Sequence, residues 1–306
     1  MKLRALFALT FFVPLSAAAQ ESASFLKLGV GARAMGMGGA YTAVADDVNA
    51  MYWNPAGLAG LTQRSVGATH ADLFANTRYD FFGYAQPTRF GTLGASAAYL
   101  SQAPLSGRSD TGVPMGNYDA ADTAVNLSYA AAISAVPGLG LGGTMKYISS
   151  SIADASAQGY AFDVGVRYAP PAASGFGGAA FGLTVQNVGP GMRCLNQTAP
   201  LPLTVAGGVA YLLPFGFLLA ADYKYRPYDH PGEASFGAEY QLLTSFALRA
   251  GYDSGSVTSN GESGFAALSG FTAGLGIKCR GYSVDYSVAP MGELGSAQRI
   301  SLAALF

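Results

Sequence analysis

Gly29-Val30-Gly31 and Gly36-Met37-Gly38-Gly39 have the spacing of loops that cradle phosphates on backbone N–H groups. Such loops need a strand before them, a helix after them and a parallel crossover, and the surrounding sequence offers none. His70 and His230 are far apart and lack a cluster of Cys, Asp or Glu, so no metal site is expected. A G-x-S-x-G nucleophile elbow is absent. Asp163 and Arg167 could form an acid–base pair. On a strand they read instead as a salt-bridged polar lining that offsets the cost of burying charge. No catalytic residue, metal or cofactor is assigned. Cys194 and Cys279 are expected to stay apart, because the strand count places them at opposite ends of the fold.

The elements that carry these residues follow from composition and periodicity. Asp, Glu, Lys and Arg make up 11% of the chain, against about 25% in soluble domains. The net charge of -1 gives no electrostatic reason for nucleic acid binding. Residues 1–20 read as a signal peptide: Lys2 and Arg4, an apolar run, then Ala17 and Ala19 in A-x-A places. The run is too short to span a bilayer as a helix, and no later stretch is long and apolar enough. An exported, apolar chain without spanning helices has a closed β-barrel as its membrane option.

Alternation fits that option, though it fits equally a soluble sandwich with its apolar face in the core; short connections alternating with long ones favour the barrel. Segments of strand length lie near residues 65–74, 77–86, 91–102, 121–134, 139–153, 157–169, 178–188, 201–213, 215–226, 233–242, 245–254, 268–279, 281–289 and 297–306. The expectation is an all-β, transmembrane antiparallel barrel of about 14 strands, as alternating segments of about ten residues imply. Asp163, Arg167, Asp222, Lys224, Arg226, Arg249 and Asp285 are expected to face a polar lumen. The same holds for Lys146, Glu239 and Asp253, with Arg78 and Asp80 inward or at the rims. Val164, Tyr223, Leu248, Leu275 and Leu302 should face lipid. Tyr79, Tyr99, Tyr168 and Tyr252 are candidates for interfacial girdles. Connections alternate short and long, including one expected loop over 103–120. Strand glycines are read as leaving lumen space or bending the wall. The final residue, Phe306, closes an alternating strand and looks like the terminal signal read by the barrel assembly machinery.

Residues 46–60 break the pattern. Asp46 or Asp47 can cap a short helix, and Pro55 must end it. Met51, Tyr52 and Trp53 then need a surface to pack on. The surrounding stretch, residues 26–61, carries Gly31-Ala32-Arg33, Met37-Gly38-Gly39-Ala40-Tyr41, Ala45-Asp46-Asp47 and Trp53-Asn54-Pro55-Ala56-Gly57-Leu58. It resembles the N-terminal signature of the PorV/PorQ family, which belongs with the FadL-like barrels. That resemblance implies fourteen strands and a partly helical N-terminal plug in the lumen, with Arg33, Gly38, Gly39, Asp46, Asp47, Trp53, Asn54, Pro55 and Gly57 as plug motif. The domain expectation is a signal peptide over 1–20, a plug over 21–62 and an outer-membrane barrel over 63–306. The resemblance implies a non-enzymatic docking or shuttle role for exported proteins, as in type IX secretion. The partners would be outer-membrane lipid, cargo C-terminal domains and a secretion translocon. The alternative is a FadL-like channel for hydrophobic small molecules such as long-chain fatty acids. A general porin fits least, since a plugged lumen does not conduct freely.

Overall fold

The computed structural model describes residues 21–108, 111, 113–171, 177–194, 197–229, 232–256, 268–291 and 295–306. Residues 1–20 and His230 lie outside that set. The wall starts with β1 (Ser65–Asp72), β2 (Thr77–Thr88), β3 (Gly91–Arg108) and β4 (Pro114–Ala132). It continues with β5 (Leu139–Ile152), β6 (Ala155–Tyr168) and β7 (Ala179–Val188). A short hairpin follows, β8 (Met192–Cys194) and β9 (Gln197–Ala199). The wall resumes with β10 (Thr204–Leu213), β11 (Phe217–Tyr225), β12 (Glu233–Leu243) and β13 (Phe246–Asp253). It ends with β14 (Phe271–Cys279), β15 (Tyr282–Pro290) and β16 (Ser296–Leu305). Apart from the hairpin, these strands form one closed antiparallel barrel of fourteen. β1 closes on β16 in register from Ser65↔Leu305 to Asp72↔Gln298. One step beyond, Phe306 and Arg64 exchange backbone hydrogen bonds at 3.0 Å, so the terminal residue seals the seam.

Closure works because the pleat sorts side chains by face. Along β6, Phe162 and Val164 are 49% and 61% exposed while Asp163 between them is 1% exposed. Lys146, Asp222, Lys224, Glu239, Arg249 and Asp285 are likewise buried in the lumen, and Tyr223, Leu248, Leu275 and Leu302 point outward. Arg78 and Asp80 take the rim alternative rather than the inward one. They alternate with buried Tyr79 and Phe81 and so lie on the outer surface, close to the β1–β2 connection. There Asp80 Oδ1 lies 2.6 Å from His70 Nδ1. Tyr79 is 1% exposed and faces the lumen, so it belongs to no girdle. Leu275 sits at the middle of β14 with its side chain outside. Leu275→Arg is therefore expected to destabilise the barrel in lipid vesicles by about 2–4 kcal/mol, read by denaturant unfolding. An unchanged midpoint would mean that this face does not meet lipid.

Two elements were hidden by turn-forming residues. The expected loop over 103–120 is mostly strand: Leu105↔Tyr118 and Gly107↔Gly116 still pair, past a register shift after Gln102. Pro104 and Gly107 read as breakers, but β2 already stops at the Thr77↔Gln102 pair. The β3–β4 ribbon above it needs only its own ladder. The β8–β9 hairpin is too short to show a period of two. It folds back so that Met192 is 2% exposed and packs near Gly159 of β6.

Candidate functional site

The lumen is filled by the chain itself. Ser22 donates its N–H to Pro200 O at 2.9 Å and its hydroxyl to Ala199 O at 3.0 Å. This places the start of the described chain among the long connections. A 3-10 turn (Ser24–Lys27) follows, then α1 (Ala32–Gly36) and α2 (Ala50–Trp53), then a second 3-10 turn (Pro55–Gly60). The segment leaves by the short-turn end, where β1 begins.

Each plug residue has a defined contact. Asn54 is fully buried, and its Nδ2 donates to Thr42 O at 2.9 Å and to Val166 O of β6 at 3.0 Å. Its Oδ1 accepts from Ala56 N at 3.2 Å, so it caps the turn that Pro55 opens. Trp53 donates its indole N–H to Val30 O at 2.8 Å and stacks edge-on against Tyr52 at 5.0 Å. Gly38 and Gly39 adopt φ of 64° and 71°, which only glycine takes without strain. A Cβ on Gly57 would stand 2.1 Å from Ala45 O. Neither aspartate holds the cap position of α2; Asn49 does, without a side-chain capping bond. Asp47 instead accepts from Asn49 N at 2.9 Å, and Asp46 pairs with Arg33 at 2.5 Å.

Wall glycines answer why so many strands carry them. A Cβ on Gly165 would meet Asn54 Oδ1 at 2.1 Å, and one on Gly251 would meet Gly38 N at 2.1 Å. They let plug backbone and short plug side chains lie directly on the sheet.

Charge locks plug to wall on one side of the lumen. Arg33 binds Glu239 in a fork, Nε and Nη2 each 2.8 Å from a carboxylate oxygen. Arg249 reaches Glu239 and Asp285, both at 2.6 Å. Asp222 Oδ2 accepts Tyr41 N and Thr42 N at 2.9 and 2.7 Å. Lys224 donates to Ser235 at 3.1 Å, and Arg226 pairs with Glu233. The expected Asp163–Arg167 pair does not form. Lys146 takes Asp163 at 2.7 Å, and Arg167 donates to Ala43 O at 2.7 Å. Residues four apart on one strand are too widely spaced for that contact, whereas the neighbouring strand brings Lys146 close. At the mouth, burial works against the Lys27 ammonium, yet its bonds to Asp229 and Glu21 outweigh that and hold its pKa above the ordinary value.

Beyond the Lys146–Asp163 pair, toward the long connections, β1–β6 carry an apolar cluster. Ala71, Tyr79, Phe81, Ala98, Ala124, Ile148, Ala157 and Ala161 of β1–β6 form one cluster with Met192 and Leu201. Phe25, Leu26 and Val30 fill it from the N-terminal segment, at 4%, 7% and 0% exposure. We call residues 22–28 the hook and the cluster's wall the chamber. Burying Phe25 and Leu26 contributes about 1.5–3 kcal/mol each. Around the short-turn end lie clefts of about 290 and 370 Å³, both bordered by Arg33 and Asp46. An apolar recess of about 790 Å³ between Phe181, Phe236 and Phe271 is on the outside of the wall.

Residues 16–228 match the model of an Uncharacterised protein family, UPF0164. The chain belongs to the UPF0164 family. The match takes in the hook, the plug and the wall through β11. No curated protein matches the sequence. In structure, this UPF0164 chain is similar to the Ralstonia pickettii toluene transporter TbuX at 15% identity, covering 91% of this chain and 98% of that one, TM-score 0.63. It is similar to the P. putida toluene transporter TodX at 11% identity, covering 91% and 99%, TM-score 0.61. A Pseudomonas aeruginosa FadL homologue aligns at 12% identity over 88% and 96%, TM-score 0.51. The fold of this UPF0164 member is therefore that of the FadL-like barrels.

The chamber was not legible beforehand. Its residues are small or aromatic side chains on strands whose charged positions drew the reading inward elsewhere. Phe25 and Leu26 precede the segment that carries the PorV/PorQ resemblance or sit at its edge. Cys279 is exposed and free, so it does not bond Cys194; the Cys194 side chain lies outside the described residues.

Proposed function

We propose that this protein is an outer-membrane channel that admits hydrophobic small molecules through the chamber. The chain's first twenty residues would act as its cleaved export signal, and Phe306 would serve the assembly machinery. The observation that carries the reading is the apolar cluster near the long-connection end of the lumen, filled by Phe25 and Leu26. The named neighbours, toluene transporters, agree with it by fold. Secretion docking rests on residues 26–61, and these are largely buried in the lumen: Met37, Tyr41, Met51 and Asn54 have no exposed surface. Docking of cargo would instead fall to the outer loops and the lumen mouth. Transport by this route makes and breaks no covalent bond, which agrees with a non-enzymatic role.

The test is uptake of labelled toluene by cells that lack other hydrocarbon channels. Expression of this chain is expected to speed uptake severalfold over empty cells. Equal uptake would contradict the reading. The doubly substituted F25A/L26A chain empties the chamber of its own occupant. It is expected to bind toluene more tightly, since the ligand no longer displaces about 3–6 kcal/mol of buried side chain. Trp53, the single tryptophan, borders Tyr52 and reports binding by its fluorescence.

A further inference from the structure

Arg299 of β16 and Ser287 of β15 are direct cross-strand partners. Both face the lumen, at 5% and 2% exposure. Arg299 Nε and Nη1 and Ser287 Oγ are buried without a hydrogen-bond partner. Other buried arginines are served: Arg33 by Asp46 and Glu239, Arg226 by Glu233, Arg249 by Glu239 and Asp285. Among the described residues Arg299 makes no ion pair. A buried guanidinium without a counter-charge is costly, so its environment is incomplete as it stands.

Its position says what would complete it. On the side away from Ser287, Arg299 pairs with Ala71, and Ala71 pairs with Tyr79. Both of those residues line the chamber. The guanidinium therefore stands at the chamber's border. Its planar fork matches a carboxylate, and the serine hydroxyl adds one more donor. A neutral hydrocarbon would leave all three groups unmet.

We propose that Arg299 and Ser287 form an anion seat, and that the ligand of the chamber is a small hydrophobic monocarboxylate. The proposal rests on the channel reading for its ligand, but the seat itself does not. The full mature chain in detergent is titrated with 4-phenylbutyrate and with butylbenzene, followed by Trp53 fluorescence. The native chain is expected to prefer the carboxylate by about tenfold or more, the worth of a charge-assisted hydrogen bond. Arg299→Met is expected to abolish that preference while butylbenzene binding stays within about twofold, because only the carboxylate uses the seat. Ser287→Ala should lower the preference by a smaller factor. Heat-modifiable gel mobility checks that each variant forms the barrel. If Arg299→Met does not, Ser287→Ala decides, together with bromide soaked into crystals of the native chain. Bromide at Arg299 with neither organic probe bound would keep the seat and end the channel reading. Butylbenzene binding with no preference for phenylbutyrate, or a preference that survives both substitutions, would overturn the seat and leave the channel.

Discussion

Arg249→Met is expected to destabilise the barrel by about 3–5 kcal/mol, because it removes one partner from a buried ionic network. The Arg249 side chain has no exposed surface and holds Glu239 and Asp285 at 2.6 Å each. Methionine keeps most of the volume but leaves Asp285 without a cation. Glu239 would keep Arg33 alone. The loss is read from denaturant unfolding in vesicles. Combining Arg249→Met with Asp285→Leu removes the stranded charge and should recover part of it, as paired replacements of buried ions do. A change below about 1 kcal/mol for the single substitution would mean that water reaches this cluster and screens it, as at exposed ion pairs.

Gly251→Val is the second large effect, and it acts on the seal. A Cβ at this position would stand 2.1 Å from Gly38 N and 2.2 Å from Met37 C. Those are backbone atoms on a plug held at several points: Gly38 N donates to Thr272 Oγ1 at 3.0 Å, and Asp222 takes the next turn. Valine cannot be fitted by a rotamer change. Overpacking of this kind costs about 1–3 kcal/mol when the neighbours can yield; here the neighbour that yields is the plug. The β12–β13–β14 pairing does not depend on it, so the barrel should persist. The measurement is conductance in planar bilayers. The native protein is expected to be nearly silent, and Gly251→Val to show discrete open steps. A variant as silent as the native protein, with native stability, would show that the plug does not rest on this glycine.

The fold was readable because a barrel writes its pleat into the chain. Val164 against Asp163, or Tyr223 against Lys224, already separates an apolar face from a polar one. Most wall strands follow that pattern; β7 departs from it where its pairing with β6 shifts register. The β3–β4 ribbon escaped because its upper part has no inside. The site was less legible. Arg33, Asp46 and Asn54 stood out by type and spacing, but their partners Glu239, Thr42 and Val166 are set by closure of the barrel. Asp163 met Lys146 from the adjacent strand rather than Arg167 on its own. Phe25, Leu26 and Arg299 carried no signal: an apolar pair near an export signal, and an arginine in a final strand, look ordinary until the wall closes around them.

The central claim is that hydrophobic ligands occupy the chamber by displacing the hook. The most direct measurement is a crystal structure of the full mature chain soaked with 4-bromotoluene, with the bromine located by its anomalous scattering. The predicted result is a bromine peak inside the wall among Tyr79, Phe81 and Ile148, with Phe25 moved out of contact with them. A peak confined to the outer recess between Phe181, Phe236 and Phe271, with Phe25 in place, would contradict it.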